Sequence, residues 1–397
     1  MNERIVIHID VNNAFLSWTA VDMLKQGNQV DIRNRYAIIG GDEQARRGIV
    51  LAKSNPAKQQ GVVTAEPIYM ARRKCPYLEV YPPNYNLYRK YSDLMYNYLC
   101  QYTNIIERYS IDECFLEYTD IKKLNGDPIK FAYKIKDDIY KNFGFTVNVG
   151  IGNNKLCAKM ASDFSKPNKV HTLFSSEIPT KMWPLAVKDL FMIGKKTTKK
   201  LETLHINTIY DLAHTDINLL EKNFKSMGLM MHNYASGIDN SKVEYEYENP
   251  KSISTSTVLP YNYSDKKEIH QVLKSLAETT GKRLRKKKMY ASNVSIWIKY
   301  SNFKKYSKQS KLDNSTNTDE DIASVAINLF DKIWTEEAIR GLCVGVTDLS
   351  EDKKTQLSIF DTIENKHSDK LQETLDEIRD KYGDNLITYA DKLKPKK

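Results

Sequence analysis

Residues 4–10, Arg-Ile-Val-Ile-His-Ile-Asp, alternate in character, with Ile5, Ile7 and Ile9 on one side and Val6, His8 and Asp10 on the other. A period of two predicts a strand, and this one ends on a carboxylate. Asn12 and Asn13 follow where a helix N-cap belongs, and Phe15, Trp18, Val21 and Leu24 carry helical spacing over 14–24. The chain thus opens strand, short turn, helix. Residues 36–54 read as two strands about Gly40-Gly41, and 55–60 as a short helix stopped by Gly61. A Tyr-rich helix is expected over 85–104. A β-hairpin is expected over 105–118, with Asp112 and Glu113 near its tip. A helix over 128–142 and a strand over 145–151 complete a mixed βα layer.

From about residue 172 the pattern changes to short helical pieces at 185–191, 196–204, 208–213 and 216–223. The polar, Glu/Tyr-rich stretch 240–252 reads as a linker. Strands at 253–259, 290–300 and 341–349 then enclose helices at 266–287 and 317–337, a compact α+β pattern. The last 35 residues are charged and end Lys-Pro-Lys-Lys, and no internal repeat interrupts this order. At roughly 100–200 residues per domain, 397 residues make about two to four domains.

Charge adds a partner class. There are 60 Lys and Arg against 50 Asp and Glu, a surplus of +10. Much of it is local: eleven basic residues and no acidic one lie between Lys282 and Lys311, with Tyr290, Trp297, Tyr300 and Phe303 among them. A charge run is most often a solvated face, but one across a helix end and a following strand suits a polyanionic partner, nucleic acid or an anionic membrane surface. The five cysteines, at 75, 100, 114, 157 and 343, are odd in number and scattered, which argues against a disulfide scaffold or a zinc site. No stretch of about 18 apolar residues would span a membrane, and Met1–Asp10 carries no secretory pattern. The expectation is a cytoplasmic protein with no membrane partner.

Asp10 at a strand end and Asp112-Glu113 at a hairpin turn are oxygen donors of the kind that holds Mg²⁺. Taken alone, such acids more commonly cap a turn and a helix than hold a metal. Their context narrows this. Ile9-Asp10-Val11-Asn12-Asn13-Ala14-Phe15 places backbone N–H groups at a helix start directly after Asp10, a natural triphosphate cradle. Tyr109-Ser110-Ile111-Asp112-Glu113-Cys114 closely resembles the Ser-Ile-Asp-Glu motif of Y-family translesion DNA polymerases, and residues 9–15 resemble the other half of that family's metal site. The resemblance runs through about residues 4–361. It includes Gly48 to Lys58, similar to the fingers segment, and Val149 to Lys159 with Ser165-Lys166-Pro167-Asn168, similar to the palm. Leu190 to Thr197 is similar to a helix-hairpin-helix. Departures are Asn55 and Lys58, where the family often has Tyr and Arg, Ala14, where an aromatic is frequent, and Met192, where a glycine is usual.

The resemblance implies a multidomain α+β right hand: palm at 1–30 and 80–171, fingers at 31–79 and helical thumb at 172–240. A linker at 241–252, a little finger at 253–350 and a tail at 351–397 follow. It implies catalysis by Asp10, Asp112 and Glu113, which would hold two Mg²⁺ with the Val11 carbonyl, and a nucleotide held by Asn13, Ala14, Phe15, Asn55, Lys58 and Lys166. Phe15 would be the steric gate against ribose. Primer-template DNA would meet Gly194, Lys195 and Lys196 in the thumb and Lys286, Lys287 and Lys288 in the basic run. Gln356-Leu357-Ser358-Ile359-Phe360 is similar to the pentapeptide with which bacterial polymerases bind the sliding clamp; Gln356, Leu357, Ile359 and Phe360 would make that contact. The expected species is a monomeric polymerase adding dNTP to a primer 3′-hydroxyl. A DNA-binding repair scaffold and a metal nuclease share parts of this pattern. Primer extension with Mg²⁺ separates the three.

Overall fold

The alternation at the start of the chain becomes β1 (Val6–Val11), the central strand of a five-stranded sheet. The computed structural model describes residues 3–244, 249–353, 374–379 and 381–383. The other strands are β2 (Ala37–Gly40), β3 (Val50–Lys53), β4 (Glu79–Tyr81), β5 (Ile106–Arg108), β6 (Glu113–Glu117), β7 (Val147–Gly152), β8 (Val170–Leu173), β9 (Ser252–Tyr263), β10 (Tyr290–Tyr300), β11 (Lys305–Thr316) and β12 (Ile339–Ser350). Two compact units contain them, residues 1–41 with 48–247, and residues 42–47 with 248–397.

In the first unit the order β5-β6-β1-β7-β8 sets β1 between antiparallel β6 and β7. Ile5, Ile7, Ile9 and Val11 enter one core with Leu116, Val147, Val149 and Ile151, and with residues of the helices Ala14–Lys25, Tyr85–Leu99 and Pro128–Phe143. Each such side chain contributes roughly 1.5–3 kcal/mol on burial. A one-residue slip of β1 would turn the whole set outward, so its register is strongly fixed. Val6, His8 and Asp10 take the other face, where the helix Lys155–Asp163 packs. Glycine permits that packing: a Cβ on Gly150 would stand 2.0 Å from the Ala158 carbonyl oxygen and 2.4 Å from the Ser162 nitrogen.

A three-stranded sheet, β3-β2-β4, packs Ile38 and Val50 with Ile68 and Ala71 of the helix Ile68–Lys74. The helices Lys195–Glu202, Ile209–His214, Ile217–Phe224 and Ser226–Ala235 share a core that includes Leu201, Leu212, Leu220 and Met231. In the second unit the antiparallel sheet β11-β10-β12-β9 shares its core with the helices Lys266–Lys286 and Asp319–Asp331 through Leu273, Val294, Phe330 and Val344. Among the described residues no helix is long and apolar enough to cross a membrane.

The sequence reading differs from this in identifiable places. Strand β11 was not expected, because its outer position leaves eight of its twelve residues exposed and only backbone pairing with β10 reveals it. The helix expected over 317–337 covers only 319–331: the chain turns at Phe330–Trp334 and Glu336 takes φ 63°. The Tyr-rich helix stops at Leu99, where Cys100 to Tyr102 form a tighter turn. The piece at 185–191 is a single 3₁₀ turn, Val187–Asp189. The helices Ile68–Lys74, Lys155–Asp163 and Ser226–Ala235, and the strands β4 and β8, were not expected. The clamp-like pentad 356–360 lies outside the described residues.

The closeness of helix to sheet at Gly150 makes a stability prediction. Gly150→Ala should lower the unfolding free energy of the first unit by about 1–3 kcal/mol, because the added methyl meets backbone rather than a flexible side chain. Urea unfolding reads it; an unchanged midpoint would mean that the helix shifts at no cost.

Candidate active site

Asp10 in β1 lies opposite Glu113 in β6 and opposite Asn148 in β7. Directly paired residues share a face, so these three form a polar row across the sheet. The Val11 N–H donates to the Asp112 carbonyl at 3.1 Å, which ties the hairpin turn to the end of β1. Ser110 Oγ donates to Asp112 Oδ1 at 2.6 Å.

The row is negatively charged and largely shielded from water. Burial raises the Asp112 pKa, and the nearby Asp10 and Glu113 raise it further. Burial also pushes Glu113 up, but its contacts with His8 and Lys159 outweigh this and bring it down to about 2. Lys159 Nζ is 2.8 Å from Glu113 Oε1, and His8 Nε2 is 3.4 Å from Oε2. Burial lowers the His8 pKa below 6.5. The Lys166 ammonium pairs with Asp10 and lies 2.8 Å from Asp163. Burial opposes its charge, but the two carboxylates raise its pKa well above the ordinary lysine value.

Two lysines pair with Glu113 and Asp10 of the row, and among the described residues no three His, Cys or acidic side chains are gathered to hold a metal ion as they stand. The donor chemistry nevertheless fits a hard divalent cation. Three carboxylates are available, and the like-charge repulsion at Asp112 marks an excess of negative charge.

The expected nucleotide residues lie around the following turn. Asn13 takes φ 48° at the N-cap of the helix Ala14–Lys25; its side chain makes no cap, and Nδ2 reaches Asn55 Oδ1 at 3.4 Å. Ala14 is buried. Phe15 stacks on Tyr88, with centroids 4.3 Å apart and planes 6° apart, and meets Tyr85 edge-on at 6.0 Å. Lys58 is exposed on the short helix Asn55–Gln59. The structure thus joins Asp10, Val11, Asp112, Glu113 and Lys166 in one network, and places Asn13, Ala14 and Phe15 on the adjoining turn. Gly194 is the N-cap of the helix Lys195–Glu202, with Lys195 and Lys196 exposed. Met192 takes φ 72°, which explains why a glycine would suit that place.

Lys286, Lys287 and Lys288 belong to the second unit and are exposed at the end of the helix Lys266–Lys286. Arg285, in the same basic run, does not face solvent. It is largely covered, pairing with Asp319 at 2.8 Å and Asp376 at 2.5 Å. Sequence reasoning missed His8, Lys159, Asn148 and Tyr88 as parts of the site, and saw Asn12 only through its backbone. His8 stood on the Asp10 side of the strand alternation, which was the available signal. Lys159 and Asn148 reach the site only through β7 and the helix after it.

Comparison with known proteins bears on this geometry. Residues 9–163 match the impB/mucB/samB family, 175–206 the IMS family HHH motif, and 250–359 the impB/mucB/samB family C-terminal domain. Over 385 residues the chain is 47% identical to DNA polymerase IV of Clostridium acetobutylicum, covering 97% of each. This chain belongs to the Y family of DNA polymerases. DNA polymerase IV 1 of Bacillus subtilis is 33% identical and covers 98% of this polymerase and 94% of its own length. Among solved structures, the Y-family DNA polymerase chimera Dbh-Dpo4(243-245)-Dbh shares its fold, with a TM-score of 0.75 and 24% identity over 87% of this chain and 98% of the chimera. The polymerase is a DNA-directed DNA polymerase of the low-fidelity, translesion type, with the family's right-hand fold.

The repulsion at Asp112 separates function from stability in this polymerase. Asp112→Asn keeps an oxygen for Ser110 and removes one of three crowded charges. Its thermal midpoint should stay level or rise, while primer extension falls by about a thousandfold or more. Extension at the wild-type rate would remove Asp112 from the chemistry.

Proposed function

We propose that Asp10, Asp112 and Glu113, with the Val11 carbonyl, hold two Mg²⁺ ions for addition of a dNTP to a primer 3′-hydroxyl. The observation that carries this reading is the register of Asp10 against Glu113, with Asp112 tied to Val11 and Lys166 on Asp10. Bound Mg²⁺ supplies charge stabilisation for attack of the hydroxyl on the α-phosphate and for the pyrophosphate that leaves. Lys166 serves the triphosphate, exchanging its Asp10 partner for phosphate oxygens. The N–H groups of Asn13, Ala14 and Phe15 offer further donors at the helix start. Asn55 and Lys58 flank the nucleotide from the fingers, as an amide and a point charge rather than a phenol and a guanidinium.

The domain division stated above, into palm, fingers, thumb and little finger, belongs to this reading. So do the DNA contacts of Gly194, Lys195 and Lys196 and of Lys286, Lys287 and Lys288. The structural neighbour described as an insertion ternary complex of Dbh DNA polymerase supports a primer-template and a dNTP as the ligands. The polymerase works as a cytoplasmic monomer tethered to a sliding clamp. Primer extension with Mg²⁺ and all four dNTPs tests the whole: templated addition is expected, and degradation or binding without addition would sink it.

Phe15 is held face to face on Tyr88, and a rigid ring at this turn would clash with a ribose hydroxyl. Phe15→Ala should raise the ratio of ribonucleotide to deoxyribonucleotide incorporation by roughly tenfold or more, equivalent to about 1.4 kcal/mol of lost discrimination. A lowered thermal midpoint with an unchanged ratio would make Phe15 a core residue only.

Leu357, Ile359 and Phe360 suit an apolar groove, and a tether would raise the effective concentration at the primer end. Leu357→Ala with Phe360→Ala should leave single-nucleotide insertion on naked DNA within about twofold and abolish stimulation by a loaded clamp. Stimulation that survives in a stable variant would place the clamp contact elsewhere.

A further inference from the structure

We propose that Asn148, with Asn12, is a positioning residue that holds the loop carrying Lys166 over the carboxylate row; the proposal rests on the reading of Lys166 as the triphosphate's cation. Asn148 stands next to Asp10 in the sheet and is completely buried. A buried amide needs partners for two N–H groups and for its oxygen. Here all of them come from the edge of the site. Asn148 Nδ2 donates to the carbonyls of Ser162 at 2.8 Å and Ser165 at 2.6 Å. Its Oδ1 accepts from Asn12 Nδ2 at 3.1 Å and from the Lys169 N–H at 3.3 Å. Asn12, also buried, accepts at Oδ1 from the Asn168 N–H at 2.9 Å and from Thr146 Oγ1 at 3.0 Å.

The segment from Ser162 to Lys169 is therefore gripped at two carbonyls before Lys166 and at two N–H groups after it. Lys166 itself is outside the grip, with its side chain on Asp10 and Asp163. A flexible lysine placed by a fixed backbone loses less freedom when it meets a charged ligand. The two amides bridge the end of β1 and β7, so the position of Lys166 is set by the same strands that set Asp10.

Asn148→Asp keeps the shape but cannot donate, and it would set a carboxylate against two carbonyl oxygens. A double-mutant cycle with Lys166→Ala tests the proposal by dNTP steady-state kinetics, with primer-template affinity and thermal midpoint measured alongside. Asn148→Asp should raise the dNTP KM roughly tenfold with primer-template affinity within about twofold. In the Lys166→Ala background the same change should add less than about twofold. An undiminished tenfold effect in that background would overturn the proposal and leave the role of Lys166 intact. An unchanged KM for Lys166→Ala alone would overturn both. If Asn148→Asp does not fold, Asn12→Asp, which keeps its acceptor and loses its donation to Asn148, runs the same cycle with the same deciding outcomes.

Discussion

The antiparallel pairing of β1 with β6 and β7 is the constraint on which the rest depends. It is enforced from the apolar side, where Ile5, Ile7, Ile9 and Val11 can be buried in only one register. That register then decides the polar side. Asp10 must face Glu113 and Asn148, and His8 must face Phe115 and Gly150. The core thus places carboxylates that would not choose to meet. Burial, and then repulsion from Asp10 and Glu113, raises the Asp112 pKa, a cost concentrated in this row.

Compensation comes from the layer on that face. Gly150 lets the helix Lys155–Asp163 approach, which brings Lys159 to Glu113 and Ser162 to His8. The loop that follows brings Lys166 to Asp10. These lysines differ in what they can do. Lys159 extends from a helix packed on the sheet. Lys166 extends from a loop, about a third exposed, with Asp163 as a second partner. A cation shared between two carboxylates has a place to go when a polyanion arrives. Proximity and charge, arranged beforehand by backbone, are what nucleotidyl transfer asks of a protein.

Much of this was legible along the chain. The period of two over 5–10 and the helical spacing after Phe15 gave the first elements, and the carboxylates at the strand end and hairpin tip gave the candidate acids. What was not legible has physical reasons. β11 has few buried or half-buried side chains to mark it, and those polar save Leu312, so polarity hid a strand that pairs along its length with β10. Arg285 reads as surface charge among its neighbours, yet its partners are Asp319 and Asp376, 34 and 91 residues away. Asn148 and Ser162 act through hydrogen bonds across β7 and the helix after it, and no local pattern announces such bonds. Asn13 reads as a helix cap by type, but its φ of 48° turns the side chain toward Asn55 instead.

The central claim is that the row of Asp10 and Glu113, with Asp112, receives divalent ions and a nucleotide while Lys166 changes partner. A crystal structure of the polymerase with primer-template DNA, a non-reactive dNTP analogue and Mn²⁺ located by anomalous scattering tests it most directly. The account predicts Mn²⁺ ligated by Asp10, Asp112 and Glu113, and the Lys166 ammonium on the triphosphate. Mn²⁺ bound elsewhere, or a Lys166–Asp10 pair that persists with nucleotide present, would contradict it.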